Sequence, residues 1–184
     1  MKKLSMMMFT VMVFFSCNNG GTVTSEAAKD STAVAPATAV KMDYPYTIDH
    51  PDNWEIGSSA NTVVAVSALK AYENGNIDAC VKNFGDSIHL QFDELDTKVA
   101  NDSLKSMFTK SRGALKALNI KMYDWESVIS RDKKDEYVTL WYKESWEDSK
   151  GKSDSVSVVD DLKIKEGKIV ELSETRRKYP GKKM

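Results

Sequence analysis

Residues 54–92 read WEIGSSANTVVAVSALKAYENGNIDACVKNFGDSIHLQF, and their reading decides the fold. Ser58 or Ser59 can cap a helix that runs through Tyr72, because a serine oxygen accepts from the orphan amides of a first turn. Val63, Val66, Leu69 and Tyr72 recur at helical spacing and mark the buried face. Asn74-Gly75-Asn76 then stops the helix, since glycine enters a left-handed C-cap without steric penalty. Asn76 caps a second helix, whose Ile77, Cys80, Val81 and Phe84 form an apolar stripe. Cys80 is therefore expected as a buried structural thiol, with no base beside it in sequence. Gly85-Asp86 turns into a strand, Ser87–Phe92, with Ile88, Leu90 and Phe92 on one face and His89 and Gln91 on the other.

Toward the N-terminus, residues 41–57 carry Pro45, Pro51 and several aromatic residues, and read as an extended lead-in packing Tyr44, Tyr46 and Trp54 onto the domain. His50 precedes proline, which disfavours helix there, and no second metal-type ligand lies nearby. Residues 17–40 are rich in Thr, Ser, Ala, Gly and Asn, without a usable period, and read as a flexible tether. Residues 1–16 combine Lys2 and Lys3 with the apolar run 4–15, too short to span a membrane comfortably and ending just before Cys17: a secretory signal. Phe14-Phe15-Ser16-Cys17 resembles the lipobox of bacterial lipoproteins, although Phe14 stands where leucine is usual. That resemblance implies a lipidated Cys17 and a location in the bacterial cell envelope, at the outer membrane, facing the periplasm or the surface. Acyl chains contribute about 0.8 kcal/mol per buried methylene, enough in combination for firm attachment.

Toward the C-terminus, Asn101 or Asp102 is placed to cap a third helix reaching about Leu118, with Leu104, Met107, Phe108, Leu115 and Leu118 as its stripe. Strand-like runs follow at 121–130, 136–146, 154–164 and 168–178. Their short connectors favour antiparallel pairing, because a parallel return needs a crossover of about a dozen residues. The order helix, helix, strand, helix and four-strand meander predicts an α+β fold, with helices on one face of a bent antiparallel sheet. Residues 180–184 form a basic tail.

The chain has 184 residues, 41% of them hydrophobic, enough for one domain with appendages. The formal net charge is −1, or −3 once Lys2 and Lys3 are removed, which argues against a nucleic-acid binder. Two cysteines in unlike contexts make no disulfide framework.

The run AYENGNIDACVKNFGDSI (71–88), with its Tyr72, Asn74-Gly75-Asn76, Ile77-Asp78, Phe84 and Gly85-Asp86, resembles the NTF2-like superfamily, which includes SnoaL-like and ketosteroid-isomerase-like proteins. The ending LKIKEGKIVELSE (162–174) is similar to that family's final hairpin. The resemblance covers residues 58–179. It implies a cone-shaped domain, with three N-terminal helices on a curved antiparallel sheet closing a pocket. It places Gln91 about where an isomerase of this group needs its carboxylate base, and glutamine cannot take a proton.

Candidate chemistry is correspondingly sparse. His89 could replace the missing base if its strand face meets the cavity, partnered by Asp93, Asp124 or Glu144. Tyr72, Phe84, Trp125, Trp141 and Tyr142 are candidate pocket residues. The aromatic residues Tyr123, Trp125, Trp141, Tyr142 and Trp146 fit a flat apolar ligand site, or equally core packing or a dimer surface. Asp160 and Asp161 are strand neighbours that face opposite sides and cannot share one metal ion without a bulge. Arg176-Arg177-Lys178 reads as a solvated edge. No GxSxG, P-loop, HExxH, CxxC or dinucleotide pattern occurs, so neither metal nor cofactor is expected.

The expectation is therefore a membrane-anchored module binding a small apolar ligand or a protein partner without catalysis. An isomerase or dehydratase using His89 and a nearby carboxylate is the alternative. A homodimeric assembly module is the third reading.

Overall fold

The computed structural model describes residues 44–48 and 54–179. The signal-like segment, Cys17, the tether, His50 and residues 180–184 lie outside the described residues. The elements run β1 (Trp54–Ile56), α1 (Ser59–Glu73), α2 (Ile77–Val81), β2 (Phe84–Phe92), β3 (Leu95–Ala100), α3 (Asn101–Gly113), β4 (Leu115–Ser130), β5 (Glu136–Asp148), β6 (Ser153–Lys165) and β7 (Lys168–Lys178). They make one curved sheet of order β1-β4-β5-β6-β7-β2-β3 with three helices.

Local chemistry accounts for the start. The Ser58 hydroxyl accepts from the Ala60 N–H at 3.2 Å, and the Asn76 side chain accepts from the Ala79 N–H at 3.1 Å. Gly75 sits at φ +75°, which lets the Asn76 N–H reach back to the Ala71 carbonyl at 2.9 Å and close α1. Ile88 and Leu90 are fully buried against Val138, Leu140, Val158 and Ile169, so the apolar face of β2 meets the core.

Several expectations need correction. The sheet is mixed, because β2 runs parallel to β7 while every other pairing is antiparallel. The helices are not all N-terminal to the sheet, since α3 follows the hairpin β2–β3. And α3 ends at Gly113 rather than near Leu118: from Leu115 onward the chain pairs with β5, and these ladder bonds outweigh the helical spacing of Leu115 and Leu118. Tyr46 stands exposed rather than packed, whereas Trp54 meets Tyr137 edge-on with ring centroids 5.9 Å apart.

Polar side chains fasten the helices to the sheet. The start of α3 is not capped by Asn101 or Asp102; the Asn101 amide donates instead to the carbonyls of Val81 and Gly85, at 3.1 and 2.9 Å. Arg112 donates to the carbonyls of Tyr72, Glu73 and Leu115 at 3.1–3.2 Å, joining the ends of α1 and α3 to the start of β4. The buried Glu73 carboxylate accepts from the Ile120 N–H at 2.8 Å and from Lys70 at 2.6 Å. Charge-assisted bonds of this kind contribute about 1.5–3 kcal/mol each. Arg112→Ala is therefore expected to lower unfolding stability by about 2–4 kcal/mol, with Arg112→Lys recovering only part, because a point charge cannot make the guanidinium fork. Chemical denaturation of the three proteins measures this; equal midpoints would refute the clamp.

Candidate functional site

Inward side chains of β5, β6 and β7 form a lattice. Leu140, Asp160 and Glu174 are cross-strand neighbours in one row, and Tyr142, Val158 and Arg176 in the next. Glu144 follows one step further along β5. Leu140, Tyr142, Glu144, Asp160, Glu174 and Arg176, with residues of α1, α2, α3 and β2, line a cavity of about 310 Å³. Ala65, Ala68, Leu69, Phe84, Phe92 and Phe108 give it apolar walls, and Asp93, in the β2–β3 turn at φ +45°, also borders it. That volume is at the small end of the roughly 300–1,000 Å³ usual for ligand pockets.

One wall is polar. The Tyr142 hydroxyl donates to Asp160 Oδ2 at 2.9 Å, and Asp160 Oδ1 is buried with no hydrogen-bond partner. Arg176 donates through Nε to Glu174 Oε1 at 2.5 Å, and its Nη2 lies 3.8 Å from Glu144 Oε1. Burial pushes the Asp160 carboxyl well above the usual carboxylate range; Glu174 directly opposite adds to this, and the Tyr142 bond only partly opposes it. Burial likewise raises Glu144, against the pull of Arg176. Tyr142 is held well above its ordinary value by burial and then by Asp160. For Arg176, burial opposes the charge, but Glu174 prevails and keeps the guanidinium above its usual value. Asp160 therefore favours its neutral form. With Oδ2 accepting from Tyr142, Oδ1 is the oxygen open to a proton or to a donor.

Of the residues singled out from sequence, Tyr72, Phe84, Tyr142, Glu144 and Asp93 line this cavity. His89, Asp124, Trp125 and Trp141 do not. His89 lies on the opposite face of β2, its ring nitrogens 2.6 Å from Asp96 and 3.2 Å from Glu171, because Ile88 and Leu90 take the core side. Both acids raise its pKa. Gln91 shares that outer face, its amide donating to Asp96 at 3.3 Å. Asp124 pairs opposite Trp141 on the outer face of the sheet, after a bulge at Tyr123. Trp125 opposes Leu140 on the inner face, but at 52% exposed it stands clear of the cavity. Cys80 lies in the cavity wall, its thiol pushed up to about 12 by burial. Tyr72 bonds Ser111 at 2.9 Å, and burial raises its hydroxyl as well.

Sequence reading passed over Asp160, Glu174 and Arg176 as site residues. Arg176 borders the cavity while its side chain stays 41% exposed, and Arg177 and Lys178 are exposed, as a solvated edge would be. Asp160 carried a signal: it occupies the inward row Val156, Val158, Asp160, Leu162, Ile164, where every other member is apolar.

A group whose native pKa is raised stabilises the fold below its unfolded value and loses that contribution as pH rises through the native value. The contribution of Asp160 is thus complete below its ordinary 3.8 and fades as the medium becomes more alkaline. Asp160→Asn, which keeps an uncharged side chain of the same shape, is expected to flatten this decline, so that the Tm gap between variant and wild type shifts in the variant's favour from about pH 5 to pH 9. A constant gap in thermal melts over that range would show that Asp160 does not hold its proton.

No family model matches the sequence, and no curated protein does. Solved structures do share its architecture. An NTF2-like protein of unknown function from Exiguobacterium sp. 255-15 superposes with a TM-score of 0.52 at 13% identity, over 62% of this chain and 98% of that one. An epoxide hydrolase from M. tuberculosis, described as LEH-like, gives 0.53 at 12%, over 65% and 84%. A cystatin-fold protein from Novosphingobium aromaticivorans gives 0.54 at 14%, over 65% and 100%. At these identities the likeness concerns the backbone, and it shows that this chain has the NTF2-like fold.

Proposed function

We propose that this domain binds a compact, mainly apolar small molecule in the cavity, with one polar group of that molecule presented to Tyr142, Glu144, Asp160, Glu174 and Arg176. The observation that carries this reading is the unpartnered Oδ1 of a buried aspartate on the polar wall of a cavity whose other walls are apolar. A buried polar atom without a partner costs about 1–3 kcal/mol, and a ligand atom that bonds it recovers that cost. We place the domain in the bacterial cell envelope, held to a membrane by a lipidated Cys17; the supports are the short apolar run after Lys2-Lys3 and the cysteine that ends it.

A second reading is acid–base catalysis of the isomerase or dehydratase type. It is favoured by Glu144 and Asp160, two carboxyls with raised proton affinity on one cavity wall beside Arg176. In this reading Glu144, not His89, exchanges the proton, and Asp160 hydrogen-bonds the developing charge. Fold alone does not choose between the readings: one structural neighbour is described as an epoxide hydrolase and another as a protein of unknown function.

Ligand-observed NMR with 2-naphthol, a compact aromatic with a single hydroxyl, tests occupancy of the cavity. Binding to the wild type is expected, with its loss in Ala68→Trp and in Leu172→Trp, which fill the space from opposite walls. Circular dichroism establishes that each variant keeps its fold. Binding that survives both substitutions would place the ligand elsewhere and overturn the reading.

A further inference from the structure

Acidic side chains outnumber basic ones on the cavity wall. Asp93, Glu144, Asp160 and Glu174 line it, against Arg176 as the only basic residue among the described lining. That arginine is already committed, its Nε to Glu174 and its Nη2 toward Glu144. No group of three or more acidic, histidine or cysteine side chains among the described residues is arranged to hold a metal ion, so the excess is not shaped as a metal cage. Aromatic rings share the lining, those of Tyr72, Phe84, Phe92 and Phe108 from the helices and β2, and that of Tyr142 beside the acids on β5. Ring faces attract cations, and the attraction grows where water is excluded.

We propose that the molecule taken by the cavity is a protonated amine, a compact aryl- or alkylammonium whose charge lies against Asp160 and Glu144 and whose apolar body lies among Phe84, Phe92 and Phe108. This deepens the proposed reading of the cavity as a ligand site and rests on it. A carboxylate ligand would face four acids with no free cation to receive it. A neutral alcohol could meet Asp160 Oδ1 but would leave the acid excess uncompensated. An ammonium does both at once: it donates to the unpartnered oxygen and supplies the missing positive charge.

A proton on Asp160, favoured by its burial, is then the placeholder for this charge. When the ammonium enters, the Asp160 O–H bond breaks and its proton goes to solvent, leaving a carboxylate paired with the ligand cation. No bond of the ligand changes. The groups that bear on this exchange are Tyr142 and Glu144 from β5, Glu174 and Arg176 from β7, and, across the cavity, Tyr72 from α1 and Asp93 from the β2–β3 turn.

Isothermal titration calorimetry of the full chain near neutral pH, with 3-phenylpropylamine, 3-phenylpropan-1-ol and 3-phenylpropionate, tests this. The three share one apolar body and differ in the charge of the end group. The amine is expected to bind at least about tenfold more tightly than the alcohol, and the acid not measurably. Titrations in two buffers of different ionisation enthalpy should show release of up to one proton with the amine, and Asp160→Asn should abolish that release. Independently of any variant, the wild type's affinity for the amine should rise with pH as Asp160 gives up its proton, as long as the amine stays charged. Alcohol binding as tight as amine binding, measurable binding of the acid, or amine binding without proton release would overturn the cation proposal while leaving the ligand cavity standing. If none of the three binds, both the proposal and the ligand reading fall.

Discussion

The arrangement depends on a polar fastening at the end of α1. The Glu73 carboxylate accepts the Ile120 N–H of β4, and the carbonyls of Tyr72 and Glu73 accept from Arg112, which also holds Leu115. Four facts of local chemistry meet here: the helix has orphan carbonyls, the strand has an edge amide, the two helices must end near each other, and all of it is partly buried. Because this corner is held by hydrogen bonds, Ala65, Ala68 and Leu69 need not collapse fully onto β5 and β6. The space that remains between α1 and the sheet is the cavity.

The polar wall follows from the lattice of the sheet. With β5, β6 and β7 antiparallel in sequence, inward positions alternate, and the register sets Asp160 beside Glu174. Two carboxylates in adjacent positions of one buried row cannot both ionise cheaply, so the site divides its labour: Glu174 takes the guanidinium of Arg176, and Asp160 takes the hydroxyl of Tyr142. The two pairs differ in kind. One is charged and satisfied, the other neutral with an oxygen to spare.

How much of this was legible depended on whether the signal was local. The α1–α2 unit could be read because capping by Ser58 and Asn76 and the stop at Gly75 act within a few residues. The meander β4–β7 could be read for the same reason, from its short turns. The hairpin strand β3, LDTKVA, could not: it is short, pairs with β2 at the rim of the sheet, and only Thr97 and Val99 of it are half-buried. The parallel contact of β2 with β7 joins residues about eighty apart and leaves no mark on either segment alone. Tyr142 and Glu144 were legible as candidates because they fall in a strong alternating run. Asp160, Glu174 and Arg176 were not, since charged residues on a strand ordinarily mark its wet side. His89 was drawn in by its chemistry alone, and the core preference of Ile88 and Leu90 turned it outward.

The join between β1 and the helical unit has a mechanical consequence. Gly57 donates to Ser127 at 2.8 Å, and a side chain there would collide with Ser127 Oγ, which a Cβ would approach to 2.2 Å. Ahead of it β1 is paired over only Trp54–Ile56, against Val128–Ser130 at the far end of β4. Tension arriving from the N-terminal side of the chain therefore loads a three-residue ladder first, and the glycine seat next. The strands that carry the cavity, β5 to β7, stand beyond both in the line of force.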